Sequence, residues 1–185
     1  FIYTQIGGEQ DPNSPVVLSL SESELEKMID VPRLPTNPPV LNDGSIYNIK
    51  FVGEDLATNK TESDVVENVR YDITRPKISI SYPSGNTFFL GTEIGMEVSE
   101  DLLEAVLIWT RTGGLPDDGS PHRMPLSDVL LKKGTYQDAP FPINESLNTS
   151  AIYTLSVEGK DFADNDVEPV SIQSVEYIRD MSGKW

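Results

Sequence analysis

The side chains of this sequence that could do chemistry are mostly acids: Asp72, Glu100, Asp101, Glu104, Asp161, Asp164 and Asp166. Carboxylates are hard oxygen ligands, the kind calcium selects. The DND segment at 164–166 is too short for an EF-hand loop, and the same acids suit a solvated surface. Two readings therefore stand, a calcium site or an acidic exterior. Composition removes most alternatives. The chain has no cysteine, which excludes thiolate nucleophiles, disulfides and cysteine-ligated zinc. Its single histidine, His122, cannot build a two-histidine zinc site, and its place after a proline in a turn-rich stretch reads as ordinary surface. No Gly-rich phosphate loop or G-x-S-x-G elbow is present. Acids borne on loops give no sign of the facing, partly buried pair a glycosidase needs, so no catalytic residue is assigned and the chain reads as non-enzymatic. A net charge of −16 argues against nucleic acid and anionic membranes as partners, since both call for a basic surface. No apolar run approaches the roughly 18 residues of a membrane span. Asn59, Asn144 and Asn148 open N-x-S/T tripeptides, which arise often by chance in a chain rich in Asn, Ser and Thr.

The elements that would position these residues are short strands. Alternating apolar runs, separated by Gly, Pro, Asn and Asp, predict antiparallel sheets with strands near 77–82, 92–99, 105–112, 152–158 and 171–179. Ile78, Ile80 and Tyr82 alternate with serines, and Ile94, Met96 and Val98 repeat the pattern. The run from Val106 to Trp109 is continuously apolar, as a central strand would be. Between the third strand and the next lies a long excursion, 113–146, with a counterpart at 7–40. Ser21 and Glu24 have capping-box spacing and predict one short helix over about 20–28, with a helical turn or two at the matching 126–133. Prolines 32, 35, 38 and 39 forbid regular structure after it.

The strongest pattern is self-similarity. LNDGSIY at 41–47 returns as LNTSAIY at 147–153, an offset of 106 (153 − 47). The same gap-free offset superposes Gly7 on Gly113, Asp55 on Asp161, Asn59 on Asn165 and Tyr71 on Tyr177. About 22 of roughly 75 paired positions are identical, against about 5 for unrelated text of this composition. The lead-in 76–106 has no counterpart before Phe1. The expected organisation is thus the later part of one module, residues 1–75 with its first strands absent, followed by a complete module, 76–185, within a longer chain.

Leu41 to Tyr47 and Leu147 to Tyr153 have the form of a tyrosine corner, whose phenol closes a backbone hydrogen bond across a turn while the ring packs inside. With this corner, IYNIKFVGEDLATN at 46–59 and VRYDITRP at 69–76 resemble the immunoglobulin-like repeats of large bacterial surface and adhesin-type proteins, cadherin-like in their tandem arrangement. The resemblance covers nearly the whole chain, although IRDM at 178–181 replaces DITR at 72–75. It implies an all-β fold of tandem Greek-key sandwiches, each with a long loop or short-helix excursion. In such a sandwich the incoming linker shares an end with the loop after the second strand and the loop before the last, which would gather Asp72, Glu100, Asp101, Asp161, Asp164 and Asp166 into a junctional calcium site. The implied function is that of a spacer or structural element in an extracellular or cell-surface adhesin, fibre or surface layer. Its partners would be neighbouring modules, other surface proteins or glycans. The alternative is a carbohydrate- or protein-binding accessory module using Trp109, Tyr136 or Phe141. Tyr136 and Phe141 stand out because the first copy has Asp30 and Pro35 at those places.

Overall fold

The computed structural model describes residues 1–25, 37–91, 93–140 and 147–179. The fold is nearly all β. The chain divides into two compact units, Phe1–Ile73 and Thr74–Trp185.

In the first unit the strands are β1 (Ile2–Gly8), β2 (Val16–Val17), β3 (Ser45–Lys50), β4 (Val52–Glu54), β5 (Lys60–Glu62) and β6 (Val66–Arg70). They form one sheet in the order β2-β1-β3-β6, and β4 pairs with β5 as a separate hairpin. A helical turn at 22–25 follows Ser21, whose backbone N–H and hydroxyl both reach Glu24 Oε2, at 2.9 and 2.8 Å. That closes one half of the expected capping box. The rest of the anticipated helix, 26–28, and prolines 32 and 35 lie outside the described residues.

The second unit holds β7 (Ile78–Tyr82), β8 (Phe88–Phe89), β9 (Glu93–Val98), β10 (Leu102–Gly114), β11 (His122–Pro125), β12 (Gly134–Pro140), β13 (Ala151–Asp161) and β14 (Ser171–Tyr177). One sheet runs β11-β10-β13-β14-β8 and the other β12-β9-β7. The five anticipated strands are present, β10 and β13 being longer than expected. Three were missed: β8, β11 and β12. The excursion, expected to hold turns and a short helical stretch, thus contributes two strands. Both β11 and β12 lie at sheet edges and end in proline, Pro125 and Pro140, where a missing N–H costs no ladder bond. Such strands lack the composition by which a strand is recognised, because their pairing partner rather than their own propensity holds them extended. The pairing of β14 with β8 is parallel, against the antiparallel expectation.

Both sheets of this unit feed one hydrophobic core. Ile78, Ile94, Met96 and Val98 come from β7 and β9, and Leu107, Trp109, Leu155 and Val175 from the other sheet. Trp109 is completely buried, stacked on Phe89 at 5.0 Å and edge-on to Tyr153 at 6.0 Å. Aromatic pairs at these separations add about 0.5–1.5 kcal/mol beyond area burial.

The pairing registers of the two units correspond. Gln5 faces Tyr47 and Gly7 faces Ile46 across β1 and β3, and 106 residues on Arg111 faces Tyr153 and Gly113 faces Ile152 across β10 and β13. A register shift falls between the same two positions in each. Tyr47 faces Val69 as Tyr153 faces Val175, and Ile2 faces Val17 as Ile108 faces Arg123. Even the left-handed residues coincide: Thr58 and Asp164 at φ 67° and 68°, Asn68 and Ser174 both at 59°.

Candidate functional site

Among the described residues, each unit holds a buried tyrosine–aspartate pair. The Tyr47 hydroxyl accepts the Asn42 N–H at 2.9 Å and donates to Asp11 Oδ2 at 2.6 Å. The Tyr153 hydroxyl accepts the Asn148 N–H at 2.9 Å and donates to Asp117 Oδ2. The backbone bond is the one the corner predicts. The aspartate was not anticipated.

Each aspartate also organises its own loop. Asp11 Oδ1 takes the Asn13 N–H at 2.8 Å, and Asp117 Oδ1 the Gly119 N–H at 3.2 Å. The serine three residues on, Ser14 or Ser120, then accepts the N–H of Gln5 or Arg111 at the strand bulge, at 2.8 and 2.7 Å. The amide of Asn42 or Asn148 reaches back to the carbonyl of Gln10 or Pro116. A D-x-x-S-P segment at 11–15 and again at 117–121 was the available signal. It is invisible as a clamp until the tyrosine 36 residues later is brought to it.

His122 corrects the sequence reading. It is not a surface histidine: only 9% of it is exposed, it lies on β11, and its Nε2 sits 2.6 Å from Asp117 Oδ2. Along β11 the pattern is strict alternation, with His122 and Met124 inward and Arg123 and Pro125 outward. The first unit has Val16 at the corresponding place, so its aspartate works without a histidine.

Burial works against the Asp117 carboxylate. Hydrogen bonds from Tyr153, His122 and the Gly119 N–H outweigh it and hold its pKa below the ordinary 3.8. Asp11 is lowered as well, chiefly by the Tyr47 hydroxyl and then by the Asn13 N–H. The phenols move the other way, both raised by burial first and by the adjoining aspartate second. Each pair is therefore an ionised carboxylate fixed by a neutral phenol, and what it does chemically is bind a loop to a strand.

Several of the acids considered for calcium have protein partners. Asp101 accepts the Lys133 N–H and pairs with Lys132 at 3.0 Å, and Asp164 pairs with Lys160 at 2.8 Å. At Asp166 it is the backbone carbonyl, not the carboxylate, that accepts the Arg75 guanidinium. Within the first unit, Asp72 lies 3.9 Å from Arg70. Asp161 is buried and shapes its own turn. Its Oδ1 takes the N–H groups of Ala163 and Asn165 at 2.7 and 2.9 Å, and its Oδ2 the Asn165 amide at 2.9 Å. Asp55 makes the same three bonds to Ala57 and Asn59. Oxygens of Glu100 and Asp161 come within 4.8 Å of each other. Calcium takes about six to eight oxygens, so that pair needs carbonyls or water to complete a shell.

Trp109, buried in the core, offers no face to a sugar. The Tyr136 ring packs against the core, and its hydroxyl lies 2.7 Å from the carbonyls of both Val129 and Lys132. Phe141 lies outside the described residues. Among the described residues no helix is long and apolar enough to cross a membrane. Comparison with models of known protein families and with curated proteins returns no match.

Proposed function

We propose that the chain is a stretch of tandem immunoglobulin-like Greek-key modules, non-enzymatic, serving as a structural spacer in an extracellular or cell-surface protein such as an adhesin, fibre or surface-layer component. The observation that carries this reading is the recurrence, at one offset of 106 (153 − 47), of the whole Tyr–Asp clamp together with the register of the strands it joins. What recurs is what holds a unit together. An activity carried by the repeated part would recur as accessible side chains, whereas the tyrosines and aspartates of the recurring clamps are buried and mutually bonded. Units of one recurring fold can be set in series to span distance, and the acidic exterior keeps such arrays apart.

Mechanical stretching of the full chain between its termini tests the proposal. The second unit should open in one cooperative step that lengthens the chain by about 35 nm, the extended length of its strands and loops at roughly 3.4 Å per residue. Gradual extension without a discrete step would overturn it, because a spacer must hold its length under load.

A further inference from the structure

The first unit has a face and an edge whose counterparts are covered in the second. A cleft of about 670 Å³ in the first unit is lined by Phe1, Leu18, Leu20 and Phe51 together with β4. The residues 106 positions on, Leu107, Met124, Leu126 and Val157, are all at most 7% exposed and share a core with Ile78, Ile94 and Met96 of β7 and β9. Phe1, Leu20 and Phe51 remain only half-buried.

The edge tells the same story. Among the described residues, Val52, Gly53 and Glu54 of β4 pair with β5 alone. Their counterparts Glu158, Gly159 and Lys160 pair with Val106, Ala105 and Glu104. Gly159 has a steric reason to be glycine: a Cβ there would stand 2.6 Å from the Glu104 carbonyl oxygen and 2.8 Å from the Ala105 Cβ. Gly53 is glycine too, yet a Cβ on it would meet only the ring of Phe51, at 3.0 Å, and the Thr61 methyl.

Phe1 is placed to continue such a strand. Its N–H group donates to the Leu18 carbonyl at 2.7 Å and its carbonyl accepts the Leu18 N–H at 2.9 Å, so Phe1 already sits in a ladder, as Leu107 does opposite Met124. β10 passes through Val106 into Leu107 without a break.

We infer that this face and edge of the first unit accept a β-segment of the same character as residues 76–106 when one is joined to Phe1. Its last residues pair antiparallel with Val52–Glu54, and its alternating apolar side chains close over Phe1, Leu20 and Phe51. The inference rests on the tandem reading above. Its test is a chain in which a second copy of residues 76–106 is joined directly to Phe1. Amide exchange across residues 52–54 should slow by about tenfold or more relative to the unextended chain, and binding of an apolar dye should fall. A control extension with serine in place of the added copies of Ile78, Ile80, Ile94 and Met96 should do neither. Unchanged exchange in the extended chain overturns the inference. So does slow exchange of 52–54 in the unextended chain, whether light scattering finds a monomer or a dimer seated through this face. The stretching step of the second unit is read independently, so failure here and failure of the spacer reading are separate results.

Discussion

Tyr153→Phe deletes one oxygen and with it two hydrogen bonds, leaving the Asn148 N–H and the Asp117 carboxylate each short of a partner. Urea denaturation should show a loss of about 1–3 kcal/mol, the cost of stranding buried polar groups, with the packing of the ring preserved. Asp117 adds a pH dependence whose sign follows from its lowered pKa. A carboxyl more acidic folded than unfolded contributes stability that is complete above the ordinary 3.8 and is lost as pH falls through the folded value. Acid titration of unfolding should therefore show stability declining below about pH 4. Asp117→Asn should flatten that limb while lowering stability at neutral pH. His122→Val, which installs the residue the first unit uses, should leave the second unit folded and cost about 1.5–3 kcal/mol, the range for a hydrogen bond to a charged group.

At the scale of elements, the turns that launch the paired strands rest on backbone conformations with little tolerance. Gly8 and Gly114 have φ of 73° and 66°, and a Cβ on either would stand 2.2 Å from a backbone oxygen, that of Gly44 or Ser150. Ala at either place should destabilise its unit by more than the roughly 1–2 kcal/mol that a left-handed residue costs alone, as measured by thermal denaturation. Ser150, at φ 62°, stands where the first unit has Gly44, at φ 78°, so Ser150→Gly should stabilise by up to about 1 kcal/mol. Strands with a clean apolar alternation, such as β7 and β9, were legible in the sequence because each carries its own burial pattern. β11 and β12 were not, since their extended form depends on the strand beside them. His122 was misjudged for the same reason: without β11 there was no inward face for it to occupy. The tyrosine corner was legible from a local text of seven residues, whereas its aspartate lies 36 residues away in sequence and no local rule joins them. The bonds of the Asp55 and Asp161 turns, by contrast, all fall within four residues, the range over which Asp shapes a turn from its own stretch of chain.

For the whole molecule, a net charge of −16 sets how chains meet one another. Repulsion should keep them apart at pH 7 in low salt, and light scattering should record association as the pH approaches the isoelectric value of about 4.3. The division into two compact units carries a further expectation, that denaturation is not one event. The Tyr–Asp clamps supply the means to follow it. A phenol proton on an exposed side chain is lost to water too quickly to observe, but those of Tyr47 and Tyr153 are each held on a carboxylate inside the protein. Each unit thus carries its own indicator, a hydroxyl resonance whose disappearance on warming would report, unit by unit and without any added label, which part of the chain lets water in first.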